Sequence, residues 1–236
     1  MSKFFYAKLA MTNINKNRKT YIPYILTCIS TIAMFYMMHF ISGNPGLKKM
    51  SGGDALIIIL NLGNYVIGIF SVIFLFYTNS FLIKRRKKEF GLFNILGMEK
   101  KHIITIIVWE TFFVTVISLF IGLISGAVIG KLMFLLLNNI LQFEVPLTYF
   151  VSIKSMGMTV VLFIGIFVLT LLNNLRQIHL AKPIELLRGG QVGEREPKTK
   201  WFLVLIGVAT LAYGYYIALV TESPLAAINK FFLAVL

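Results

Sequence analysis

Residues 84–103 read KRRKKEFGLFNILGMEKKHI. Five consecutive cations open the stretch, and Lys100, Lys101 and His102 close it. Between them lies an apolar centre, FGLFNILGM, at 90–98, and long apolar segments flank both sides. A plain connection between membrane spans needs only the charges. The apolar centre needs a cover. Phe90, Phe93 and Leu96 are spaced by three and Leu92 and Leu96 by four, which gathers them on one side of a helix. Gly97 ends that helix, and Glu99 with the bases after it opens the next. The stretch therefore predicts a short amphipathic helix between two long ones. Such a helix buries its patch in a membrane surface or in a protein groove.

The flanks set the class. The 236 residues are 58% hydrophobic and 14% charged, with a mean hydropathy of +0.82. A soluble domain is nearer half apolar and a quarter charged. Five blocks reach the roughly 20 residues that cross a bilayer. They lie near 21–41, 56–82, 104–137, 156–176 and 201–220, and FFLAVL at 231–236 begins a sixth. The expected fold is all-α: a polytopic membrane protein with five complete spans, the start of a sixth and short amphipathic cytoplasmic helices. The second and third blocks exceed what a bilayer needs, so they tilt or continue into water.

The net charge of +14 raises nucleic acid as a partner, but topology explains it better. The cations collect in 1–20, 84–102 and 176–200. Five spans with the N-terminus inside put all three segments on the cytoplasmic side, as the positive-inside rule requires. The other connections, 42–55, 138–155 and 221–230, are short and nearly neutral. The first block is too long for a signal-peptide core and has no small-residue cleavage site after it. The N-terminal FFYAKLAMTNINKNRKTYIPY reads as an amphipathic helix on the inner leaflet, with Phe4, Phe5 and Tyr6 at the headgroups, entering the first span near Pro23.

Chemistry is sparse. His39, His102 and His179 lack metal-ligand spacing, and Cys28, the single cysteine, reads as a buried thiol. Gly130-Lys131 does not make a P-loop, because Ser125 and Leu132 hold its outer positions inside an apolar helix. The chain reads as no enzyme. Gly122, Gly126 and Gly130 recur every four residues and form a bare stripe for close helix packing. Glu110 lies inside the third block; an intramembrane acid is a functional candidate, and pairing with a Lys or Arg at the interface is the favoured reading. Asn61, Asn64, Asn79, Asn173 and Asn174 read as interhelical hydrogen-bonding groups. RQIHLAKPIELLRGGQVG at 176–193 gives a second amphipathic element, begun by Pro183 and stopped by Gly189-Gly190.

These motifs resemble the FtsX-like permease family of ABC transporters. Lys88, Glu89, Phe90, Gly91, Phe93, Leu96 and Gly97 match its motif after the first core span, and Pro183, Ile184, Glu185, Leu187 and Arg188 match its closing motif. The resemblance implies a three-span core over 56–190, preceded by an N-terminal segment (1–20) and a first span with its outer loop (21–55). A linker, a fifth span and a truncated sixth follow (191–236). It further implies that Glu89 to Gly97 dock on a separate, dimeric ATPase that binds the ATP, so this chain needs no cofactor of its own.

The N-terminal FFYAKLAMTNINKNRKTYIPYIL and the lack of a large outer domain between the first two spans are similar to the bacitracin-exporter type. That type carries ten spans, so the chain is expected to be a fragment of a longer protein in a bacterial cell membrane. Export or target release of cell-wall-active peptide antibiotics is the implied function, with flux sensing beside a sensor histidine kinase as the alternative. The expected partners are the ATPase and the bilayer, not nucleic acid.

Overall fold

The computed structural model describes residues 3–49, 52–141, 152–180 and 201–220. All regular structure among them is helical. In order, they form α1 (Lys3–Lys16), α2 (Arg18–Ser42), a 3-10 turn (Pro45–Lys49), α3 (Gly53–Ile95), α4 (Lys100–Leu141), α5 (Ile153–Leu180) and α6 (Trp201–Val220). Four of these, α2 to α5, are long and apolar enough to cross a bilayer, which makes this a multi-pass membrane protein. The sixth, α6, carries no charged residue over its 20 residues, WFLVLIGVATLAYGYYIALV. The expected sixth block lies outside the described residues.

The bundle is built on α2. Tyr21, Tyr24, Cys28, Ile32 and Phe35 of α2 meet Leu75 and Leu82 of α3, Val114 of α4 and Phe163, Ile166 and Phe167 of α5. Against α4 the approach is closest. A Cβ at Gly122 would sit 2.7 Å from Ile32 Cγ2, and one at Gly126 would sit 3.1 Å from the Ala33 backbone. At Gly130 the nearest neighbour would be Phe40, at 3.5 Å. Small residues let helix axes approach in lipid, where packing rather than water exclusion holds helices together. The outward face of the bundle stays apolar, as lipid-facing side chains should.

Polar groups inside the bundle pair between helices. Asn79 of α3 and Asn174 of α5 exchange two amide hydrogen bonds of 2.7 and 3.3 Å. Asn64 Nδ2 of α3 donates to Ser42 Oγ at 2.9 Å, and His39 Nδ1 lies 3.0 Å from Ser155 Oγ of α5. Asn61 instead is exposed.

Two expectations change. The separate amphipathic helix in 84–97 does not exist, because α3 runs unbroken for 43 residues to Ile95. Its length is about 64 Å at 1.5 Å per residue, roughly twice the hydrocarbon thickness. Lys, Arg and Glu favour helix as strongly as most apolar residues do, so the charges mark the exit from lipid and not the helix end. The end is set by Gly97 at φ 88°. Met98 N–H donates to Phe93 O at 2.9 Å and Gly97 N–H to Asn94 O at 3.1 Å, which is a Schellman cap.

At the N-terminus, α1 is helical but packs on the bundle. Phe4 stays exposed, whereas Tyr6 and Ala10 are buried against Ile106 of α4. Tyr6 Oη is 2.5 Å from His102 Nδ1. The chain breaks at Asn17, and Pro23 lies within α2 rather than at its start.

Candidate functional site

The second arginine of the basic run turns inward. Arg86 lies four residues before Phe90 and three after Ile83, on the α3 face that meets the bundle. Lys84 and Arg85 point outward, and Arg85 caps the Phe81 ring at 4.6 Å. Arg86 is 2% exposed and Glu110 of α4 is 3% exposed. The guanidinium binds this carboxylate at both ends: Nη2 donates to Oε1 at 2.9 Å, and Nη1 donates to Oε2. Nη1 also donates to Tyr21 Oη, whose hydroxyl donates to Glu110 Oε2 at 3.0 Å. Asn13 Nδ2 of α1 donates to Glu110 Oε1 at 3.2 Å. Arg86 Nε donates to Glu89 Oε2 at 3.2 Å, and Asn17 Nδ2 donates to the same oxygen at 3.1 Å.

One cluster thus joins α1, the Asn17 break, α2, α3 and α4. The flat guanidinium lies between rings, 4.9 Å from Phe90 and 5.4 Å from Tyr21. Arginine suits the place, because its planar fork meets a carboxylate at two points and its faces stack on aromatics. Removing two charges from water is costly, and their attraction offsets this only when every donor and acceptor is used. Here the cluster uses both Glu110 oxygens and all three guanidinium nitrogens.

Beside this cluster the motif residues divide. Phe90 is 1% exposed and packs with Ile83, Ile103, Ile107 and Ile178. It is part of the bundle core. Gly91 is buried with it, and Glu89 is half-buried beneath Asn17. Phe93 is half-buried against the same cluster. Leu92, Ile95 and Leu96 face outward, Leu96 at 72% exposure. Next to them Lys101 Nζ pairs with Glu99 at 2.6 Å, and this hydrogen bond holds the Glu99 carboxyl below its usual range. Lys100 Nζ donates to the His179 carbonyl at 3.0 Å, tying the start of α4 to the end of α5.

The second motif, Pro183, Ile184, Glu185, Leu187 and Arg188, lies outside the described residues. Among the described residues no three His, Cys, Asp or Glu side chains could hold a metal. Reading the sequence picks out Glu110 and its type of partner. It passes over Arg86 as one cation among five, and it passes over Tyr21 and Asn13. The available signal was the spacing of Arg86 from Ile83 and Phe90, which puts it on the apolar side.

Residues 61–179 match the family model described as FtsX-like permease C-terminal. An uncharacterized ABC transporter permease of Bacillus subtilis (strain 168), YvcS, is 26% identical over 212 residues, which cover 89% of this chain and 33% of that protein. The bacitracin export permease protein BceB of the same organism is 26% identical over 215 residues, with the same two shares. Its namesake in Halalkalibacterium halodurans is 25% identical over 214 residues, again with those shares. The chain spans about a third of the length of these relatives. The family match runs from α3 through α5, takes in Arg86, Glu89 and Glu110, and covers half of the chain: this protein belongs to the FtsX-like permease family.

Proposed function

We propose that the chain is a permease component of an ABC transporter, ATP-driven through a separate dimeric ATPase, which confers resistance to cell-wall-active peptide antibiotics by export or by release of their lipid targets. The basic end of the bundle faces the cytoplasm in this reading, and α6 is a fifth span. The similarity to bacitracin export permeases supports the substrate class.

The observation that carries the coupling is the end of α3. It projects past the apolar section as a continuous helix, is gripped at its root by Glu110, and shows Leu92, Ile95 and Leu96 at its tip. A stiff helix with an apolar tip suits a partner with an apolar groove, and the flanking cations favour an acidic rim. Phe93 lies at the edge of this surface, and Phe90 supports it from within.

Co-purification from membranes tests the reading. Leu96→Asp is expected to abolish recovery of an ATPase subunit while the chain still inserts. Undiminished ATPase binding would refute the docking surface. Recovery of a sensor histidine kinase and no ATPase would move the function to signalling.

A further inference from the structure

At the end of the bundle away from the basic turn, α2, α3 and α5 part and leave a cavity of about 360 Å³. That is the size of a ligand pocket. Its deeper walls are apolar: Phe35, Gly68, Ile69, Val72 and Leu162. Polar side chains gather at one level, where His39 and Asn64 face the cavity beside Ser42 and Ser155, close to the last residue of α2 and the first turn of α5. Asn64 is 7% exposed and its Nδ2 is used by Ser42, but among the described residues its Oδ1 has no hydrogen-bond partner. A buried acceptor left unsatisfied is costly, so it calls for a donor. Lys154, beside Ser155, adds an exposed cation at the same level.

The layout is that of an amphiphile held upright. The polar level coincides with the helix ends, and the apolar wall runs inward from Asn64 to Val72, about 12 Å along α3. Water suits only the polar level, because the wall of Phe35, Gly68, Ile69, Val72 and Leu162 beyond it offers none of the polar partners water needs. The medium around these helices is lipid.

We propose that this cavity binds one phospholipid whose headgroup carries a hydrogen-bond donor, hydroxyl or ammonium. The headgroup donates to Asn64 Oδ1, its phosphate lies toward Lys154, and an acyl chain follows Ile69 and Val72. This site is separate from the docking end of α3 and does not depend on the transport reading.

The test uses the full chain in phosphatidylcholine nanodiscs doped with lipids that carry a photoreactive acyl chain. Three headgroups are compared: glycerol, ethanolamine and choline, the last with no donor. Peptides containing Ile69, Val72 and Leu162 are expected to be labelled by the glycerol or ethanolamine form roughly two- to tenfold above the choline form, the range of one net hydrogen bond. The stronger of the two identifies the donor as hydroxyl or ammonium. Asn64→Leu is expected to reduce that labelling to the choline level.

Gly68→Leu provides a second variant. A Cβ at Gly68 would meet only Phe35, at 3.6 Å, so the longer side chain fills the cavity and should remove labelling by all three lipids. It decides the matter alone if Asn64→Leu fails to insert. Equal labelling by the choline form, no labelling of these peptides, or labelling unchanged in Gly68→Leu overturns the proposal.

Discussion

Arg86 and Glu110 meet across α3 and α4 at two points, with both side chains almost wholly removed from solvent. Each is the main reason the other can be charged there. Losing one partner leaves an unpaired buried charge, whereas losing both leaves an apolar contact.

Single and double substitutions should therefore diverge. Arg86→Met or Glu110→Leu alone is expected to lower stability by about 3–5 kcal/mol. The double variant should recover most of that loss, because Met and Leu fill comparable space against Phe90 and Tyr21. Unfolding in detergent micelles, followed by the fluorescence of Trp109 in a Trp201→Phe background, measures both. Additive losses in the double variant would show that the two groups act independently.

The glycine stripe predicts an order. Gly126→Ala presses a Cβ against the Ala33 backbone at 3.1 Å, and backbone cannot step aside. An overpacking cost of about 1–3 kcal/mol is expected. Gly130→Ala meets Phe40 at an ordinary 3.5 Å and should be close to neutral. The same unfolding assay ranks them, and a larger loss at Gly130 would contradict the helix contact described.

Gly97 sets the end of α3 by its backbone alone. At φ 88° it has nothing within 4 Å of a built Cβ, so Gly97→Ala suffers strain without a clash. A cost of about 1–2 kcal/mol is expected. Amide exchange should speed up at Gly97 and Met98, whose N–H groups close the cap, with little change at the Asn79–Asn174 pair deep in the bundle.

That pair gives a fourth expectation. Asn79→Leu strands the Asn174 amide between α3 and α5. Interhelical hydrogen bonds in lipid are worth about 0.6–2 kcal/mol, so a loss of that order should appear. Adding Asn174→Leu should restore part of it, read as a coupling energy in a double-mutant cycle.

The apolar blocks were legible because lipid demands long runs of one chemistry, and α2 to α5 begin or end within a few residues of them at most boundaries. Gly97 was legible as a stop, since few other residues adopt its backbone conformation. The continuity of α3 through 84–95 was not, because cations and glutamate continue a helix as readily as they populate a loop. Arg86 was hidden for a related reason: a run of five like charges looks uniform, and the spacing from Ile83 and Phe90 is a faint sign of which one turns inward. Helical spacing groups Phe90, Phe93 and Leu96 in one patch but does not say which neighbour covers each of them. The stripe at Gly122, Gly126 and Gly130 was visible, while its partner, the Ile32–Ala33 step of α2, follows only from the packing.

The separation of the charged pair along the chain has a consequence for biogenesis. Arg86 precedes Glu110 by 24 positions, so the arginine leaves the ribosome first. At synthesis rates of about 5–20 residues per second, it is without its partner for roughly one to five seconds. During that interval its long side chain must reach water or phosphate from the membrane edge. Tyr21 and Glu89 offer it one contact each, but the two-point carboxylate contact waits for Glu110 to arrive on α4.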